Sequence, residues 1–145
     1  YRGYAMTTTF RVYGEPVGKG RPRFARRGGR VVTYTPDKTA EYEQEVCDAF
    51  RAAAGYVWKK MEGPVQLQVT AYYGIPASAG KRKQQAMLGG AVLPTKKPDA
   101  DNVVKIICDA LNDVAWADDA QITVLHFEKR YGAIPYAEVT ISGDE

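Results

Sequence analysis

The segment from Asp99 to Gln121 constrains the fold most, because it combines a helical apolar pattern with a dense cluster of acids. Apolar residues recur there at the i, i+3, i+4 and i+7 spacing, which predicts a helix from about residue 101 to 112 with one face on a core. The residues of this predicted face are Val104, Ile107, Cys108 and Leu111. The segment also holds six aspartates and one lysine, Lys105, in a chain of formal net charge +3. Crowded like charges repel, so the cluster is costly unless a cation or an electrostatic task offsets it.

The other segments alternate between strand and helix patterns. Residues 65–73 alternate between apolar and polar, as in a half-buried strand. Thr35 and Pro36 are typical of a helix start, and Gly55 of a helix end. Further strands are predicted at 8–13, 31–34, 122–130 and 136–142, the last two as a hairpin, and a short basic helix at 78–88. The patterns predict an α/β or α+β fold with one small mixed sheet packed on two main helices.

Length and composition exclude several classes of protein. At 145 residues the chain fits a single domain, predicted to span residues 6–145, and residues 1–5 are interpreted as a cloning remnant or an upstream extension. No run approaches the ~18 apolar residues of a membrane span. Only one histidine is present, so a zinc site of the usual Cys/His type lacks ligands. The two cysteines lie among apolar residues and are predicted to be buried free thiols of a cytoplasmic protein.

Basic residues are concentrated in a segment rich in Gly and Pro, for which we predict a mobile loop over residues 14–30. The candidates for holding a phosphate backbone are Lys19, Arg21, Arg23, Arg26, Arg27 and Arg30, with Lys96 and Lys97 further along. Cations grouped in this way favour a polyanionic partner. The alternative interpretation is an ordinary solvated loop.

The acidic cluster is typical of a magnesium site for phosphate chemistry. Asp99 and Asp101 lie at the predicted helix start with Lys105 one turn on, and Asp118 and Asp119 precede the next strand. Mg²⁺ prefers oxygen ligands and keeps several waters, so two or three carboxylates with open positions suit it.

A simpler interpretation of the same spacing stays open. In it, Asp101 or Asn102 only caps the helix, and Asp101, Lys105 and Asp109 form a solvated ion-pair ladder. Asp118 and Asp119 are then residues of an ordinary turn.

The motif KPDADNVVKIICDALN followed by WADDAQI resembles the signature of the RusA family of Holliday-junction resolvases, found in bacteria and their phages. The signature comprises D-x-D-N, a lysine four residues after the second aspartate, D-A-L, and W-x-D-D-x-Q. Residues 18–23 are similar to an upstream G-K-x-R-P-R-like segment of many members. The chain departs from the family at Pro98, where members often have a basic residue.

The resemblance implies a homodimeric, Mg²⁺-dependent endonuclease that makes paired nicks in four-way DNA junctions during recombination or repair. It implies that Asp99, Asp101 and Asp119 bind the metal and that Lys105 is the catalytic lysine, with Asp118 as a lesser candidate. Two other functions stay open at this point: a non-catalytic protein that binds branched DNA, and a Mg²⁺ nuclease of broader specificity for flaps or duplexes.

Overall fold

The computed structural model describes residues 6–20, 23–34 and 37–143. In chain order its elements are β1 (Met6–Tyr13), β2 (Arg23–Arg27), β3 (Arg30–Tyr34), α1 (Asp37–Ala54), β4 (Val65–Gly74), α2 (Lys81–Leu88), α3 (Ala100–Leu111), β5 (Ile122–Gly132) and β6 (Tyr136–Gly143). A single 3₁₀ turn, Asp119–Gln121, precedes β5. The predicted class, a mixed sheet packed on helices, is confirmed. Thr35 and Pro36, the predicted start of α1, lie outside the described residues.

The main sheet has four strands in the order β1-β6-β4-β5. β4 is parallel to β5, whereas β6 is antiparallel to both β1 and β4. The predicted hairpin between β5 and β6 is therefore wrong, because β4 lies between them. A parallel pair needs a long crossover, and the chain from β4 to β5 provides one through α2 and α3. The short connection after β5 suggested a hairpin, but a connection's length alone does not fix which strands pair.

The core lies between one face of this sheet and the helices α1 and α3. From α1, Val46 and Phe50 are fully buried, and from α3, Ile106 and Ile107 are fully buried. The predicted apolar face of α3 is correct for Ile107, Cys108 and Leu111, but Val104 is only half-buried. The buried face is wider than predicted because α3 packs on both α1 and the sheet, and it also includes Val103 and Ala110. Helix α3 is thereby fixed in position along its whole length.

The basic segment contains a strand, β2, where we predicted a mobile loop over residues 14–30, and the strand predicted at 31–34 is confirmed as β3. β2 and β3 pair antiparallel as a separate two-stranded sheet, joined by Gly28 and Gly29. These glycines have φ values of 58° and 78°, as a two-residue type I′ turn requires. The loop prediction was wrong for residues 23–27 because it took the density of Gly and Pro to exclude regular structure, whereas Gly28 and Gly29 form a hairpin turn.

None of the helices in the described ranges has the length and apolar character needed to cross a lipid bilayer.

Candidate active site

The first turn of α3 places two of the candidate acids. The N-cap of α3 is Asp99, so the predicted cap at Asp101 or Asn102 was two or three residues too late. The carbonyl of Asp99 accepts the N–H of Val103 at 3.0 Å, and its side chain forms no cap hydrogen bond. The Asp99 carboxylate instead pairs with Lys97, with 3.1 Å between Oδ2 and Nζ. Asp101 lies in the first turn, where the positive end of the helix dipole favours an anion.

A short loop after α3 places the third candidate acid. Trp116 is fully buried, and its Nε1 donates to Asn112 Oδ1 at 2.7 Å. Gln121 then holds the loop from the other side through four hydrogen bonds. Its Oε1 accepts the N–H groups of Ala117 and Asp118 at 2.9 and 3.0 Å, and its Nε2 donates to the carbonyls of Met61 and Gly63 at 2.8 and 3.0 Å. The loop is thus attached to the core at both ends.

The two adjacent aspartates of this loop have different roles in the structure. Asp118 caps the 3₁₀ turn, since its Oδ2 accepts the N–H of Ala120 at 3.0 Å. Asp119 makes no such bond among those described, and it lines a cleft together with Asp101 and Lys105. The geometry therefore favours Asp119 over Asp118 as the acid available to a ligand.

The cleft has a volume of about 350 Å³. Its polar lining comes from Asp101, Lys105 and Asp119, and its apolar lining from Ala100, Val104, Cys108, Leu125 and Phe127. Charged groups beside an apolar wall act through a lower effective dielectric than groups in open water. The Lys105 side chain is 59% exposed, and its Nζ lies 3.4 Å from Asp109 Oδ1.

The thiol of Cys108 is electrically neutral at the base of this cleft. Burial raises its pKa to about 12, and the nearby carboxylates of Asp119 and Asp109 act in the same direction. A protonated thiol is neither a nucleophile nor a ligand for a hard cation. The structure confirms that both cysteines are free thiols. The predicted burial is confirmed for Cys108 and is wrong for Cys47, which is half-buried.

The oxygen donors of the cleft fit a magnesium ion through two carboxylates. Among the described residues, no group of three or more His, Cys, Asp or Glu side chains is close enough to hold a metal ion. Mg²⁺ is usually bound through one or two carboxylates, and waters and substrate phosphates complete its coordination shell. Asp101 and Asp119 therefore provide the usual type and number of protein ligands. The third predicted ligand, Asp99, is not among the residues that line the cleft, and its carboxylate pairs with Lys97.

Most of the predicted basic residues are exposed or belong to the β2–β3 hairpin. Lys96, Lys97, Arg26 and Arg30 are exposed, and Arg23 and Arg27 belong to β2. Arg21 lies outside the described residues. Their contact with DNA stays a prediction.

Among the predicted basic residues whose side chains the structure describes, Lys19 is the one with two acidic partners. Its Nζ lies 3.1 Å from Glu43 Oε1 and 3.0 Å from Asp109 Oδ2, and its side chain is 21% exposed. Partial burial alone would lower the pKa of Lys19, but the hydrogen bonds to Asp109 and Glu43 outweigh it and raise the pKa. Lys19 is therefore a charged bridge between α1 and α3.

Sequence reasoning missed three features of the site. Leu125 and Phe127 line the cleft, and Lys129 of the same strand donates to the carbonyl of Lys96 at 2.8 Å. Leu125, Phe127 and Lys129 lie two residues apart along β5, so the period of a strand predicts that they share one face of the sheet. The four bonds of Gln121 depend on distant carbonyls, for which the sequence has no local signal.

Comparison with known proteins identifies the family. Residues 13–142 match the family described as Endodeoxyribonuclease RusA, and the chain belongs to it. This confirms the resemblance found in the sequence and places the chain in a family of DNA-cutting hydrolases. The chain is also similar to the protein YqaN of Bacillus subtilis (strain 168), named as uncharacterized. The two are 40% identical over 134 residues, which is 91% of this chain and 93% of that protein.

Proposed function

We propose that this protein is a Mg²⁺-dependent endodeoxyribonuclease that resolves four-way DNA junctions in recombination and repair. One observation carries the proposal: Asp101, Asp119 and Lys105 line a single cleft in a chain that belongs to the RusA family. Two carboxylates and an ammonium group beside an apolar wall suit the hydrolysis of a phosphodiester.

The residues of the cleft have complementary roles in the proposed reaction. Asp101 and Asp119 would hold Mg²⁺ from within the cleft, and Asp99 at the N-cap of α3 would be the third ligand. The bound ion supplies charge neutralisation at the phosphate and a more acidic water. Lys105 places its ammonium group against the phosphoryl oxygens or the leaving oxygen, where negative charge develops.

DNA binding is proposed to rest on exposed cations in two segments of the chain. Lys96 and Lys97 are exposed just before α3, where Lys97 pairs with Asp99, and the β2–β3 hairpin carries the exposed Arg26 and Arg30. A four-way junction has two equivalent scissile strands, so two active sites related by a two-fold axis are needed. We therefore propose a homodimer as the active species.

Cleavage of a synthetic four-way junction tests the proposal. An end-labelled junction, a flap and a linear duplex built from the same arms are incubated with the protein at one salt concentration, with Mg²⁺ or with EDTA. We expect paired nicks in the junction with Mg²⁺, none with EDTA, and a strong preference over the other two substrates. Equal cutting of flap or duplex would indicate a nuclease of broader specificity. Tight binding without cutting, for several junction sequences and divalent ions, would indicate a non-catalytic binding protein.

A further inference from the structure

A row of four charged side chains connects α1 to the cleft. Lys19 lies between Glu43 and Asp109, at 3.1 and 3.0 Å, and Asp109 lies between Lys19 and Lys105. The charges alternate in sign along the row, and the row ends at the lysine that lines the cleft. The first three side chains are each 21% exposed, whereas Lys105 is 59% exposed. The row therefore runs from a partly buried end to the open cleft.

Asp109 uses a different oxygen for each lysine. Its Oδ2 accepts from Lys19 and its Oδ1 lies 3.4 Å from Lys105 Nζ. Because Lys19 fixes one oxygen, the carboxylate cannot turn freely, and its other oxygen stays directed at Lys105. Lysine has a long stem with several rotatable bonds, so an unanchored Lys105 would spend little time in any one position.

Lys19 is itself held against the start of α3. Its N–H donates to the carbonyl of Asn102 at 2.9 Å, and the N–H of Gly20 donates to the buried Thr39 Oγ1 at 3.2 Å. The preceding residue, Gly18, packs so closely that an added Cβ would lie 2.8 Å from Pro98 Cβ. The backbone before and at Lys19 is thus fitted to the start of α3, which carries two of the candidate acids, and the backbone after it is tied to α1.

We propose that Asp109 and Lys19 are positioning residues for Lys105. This inference rests on the proposed function of the cleft. Asp109 holds the Lys105 ammonium group at the cleft, and Lys19 holds Asp109 and offsets its charge. If Lys19 did not offset the negative charge of Asp109, Asp109 would hold Lys105 in a tight ion pair. Because Asp109 shares its charge with Lys19, Lys105 can leave it more readily for a phosphate.

Double-variant kinetics at saturating Mg²⁺ test the inference. Asp109→Asn keeps the shape and removes the charge, and we expect kcat to fall about tenfold with KM changed less than about twofold, as for lost orientation. In a Lys105→Ala background the same change should have no further effect on kcat. A loss of the same factor in both backgrounds would overturn the inference, because Asp109 would then act independently of Lys105.

Two further arms separate positioning from a general structural role. Lys19→Met should lower kcat and Lys19→Arg should restore most of it, since a guanidinium can still bridge two acids. The matched control is Asp113→Asn, which removes the same charge just after α3 from an exposed pair with Lys60 and leaves the cleft intact. Asp113 has a φ of 63°, which asparagine also tolerates. If Asp113→Asn lowers kcat as much as Asp109→Asn, the inference fails.

A measurement without DNA distinguishes this inference from the proposed function. The lysine amines are acylated with a small reagent, and the modified peptides are quantified by mass spectrometry. We expect Lys105 to react several-fold faster in Asp109→Asn than in the wild type, with Lys60 unchanged as an internal standard. Unchanged reaction of Lys105 would overturn the inference even if the wild type cuts DNA. If the wild type cuts no DNA, the proposed function fails, whereas faster acylation would still support the anchoring of Lys105.

Discussion

The cleft and the basic hairpin are positioned by different means. The cleft acids lie on a helix with fully buried Ile106 and Ile107 and on a loop held by Gln121. The hairpin β2–β3 forms a two-stranded sheet of its own, separate from the four-stranded sheet. Chemistry at a phosphate requires fixed geometry, whereas holding a polyanion requires mainly positive charge. We therefore expect mutations in the cleft to affect DNA cleavage and mutations in the hairpin to affect DNA binding.

The largest expected effect on kcat is a difference between variants of the two adjacent aspartates, Asp118 and Asp119. Asp119→Asn should lower kcat on the order of 10²–10³-fold, the range for loss of one electrostatic group at a reacting centre. Asp118→Asn should have a small effect, because asparagine caps a helical turn about as well as aspartate. Single-turnover cleavage of a labelled junction measures both. The reverse order of effects would mean that the assignment of roles within this loop is wrong.

Loosening the loop should have the next largest effect. Gln121→Ala removes four hydrogen bonds and should lower kcat about tenfold through misplacement of Asp119. Unfolding in urea should show a loss of about 1–3 kcal/mol, because backbone groups lose their partners. Gln121→Glu keeps the acceptor oxygens and loses the donors, so its effects should be intermediate. A Gln121→Ala variant with normal kcat would show that the loop needs no such support.

Removing charge from the hairpin should weaken binding while the chemistry is preserved. For the double variant Arg26→Gln with Arg30→Gln, the slope of log K for junction binding against log salt should flatten by about 0.9 for each phosphate that the protein no longer neutralises. At saturating DNA, kcat should stay within about twofold of wild type. Arg51→Gln with Lys59→Gln, two exposed cations elsewhere, is the matched control. An unchanged salt slope for the hairpin variant would exclude the hairpin from DNA binding.

The smallest expected effect tests the burial of the cleft base. The folded protein raises the pKa of Cys108 to about 12 from an ordinary value of 9.0. The folded state therefore keeps this proton longer than the unfolded state, so the stabilisation is complete below pH 9 and is lost as the pH rises toward 12. Between these values, wild type should lose up to about 1.4 kcal/mol per pH unit more than Cys108→Ala in urea unfolding. Equal slopes for the two proteins would contradict a buried thiol.

The sequence predicted helix α3 and the strand at β4, because these depend on local periodicity. The candidate acids came from the family motif, and their role as metal ligands stays a prediction. The sequence failed at the pairing of β5, where the partner strand is set by a crossover that no local pattern records. It left the choice between Asp118 and Asp119 open, since only the folded loop shows which carboxylate is used as a cap. The bridge from Lys19 to Asp109 was also missed, because its residues are far apart in the chain and meet only when α1 packs on α3.

The most direct test compares wild type with Asp101→Asn for both binding and cutting of one labelled four-way junction. Asp101 lines the cleft at the first turn of α3, so its charge should be needed for cleavage and not for holding DNA. We expect Mg²⁺-dependent paired nicks from the wild type, none from Asp101→Asn, and binding by the variant that is equal or tighter because a negative charge has been removed. Normal cutting by Asp101→Asn would contradict the assignment of the cleft as the active site.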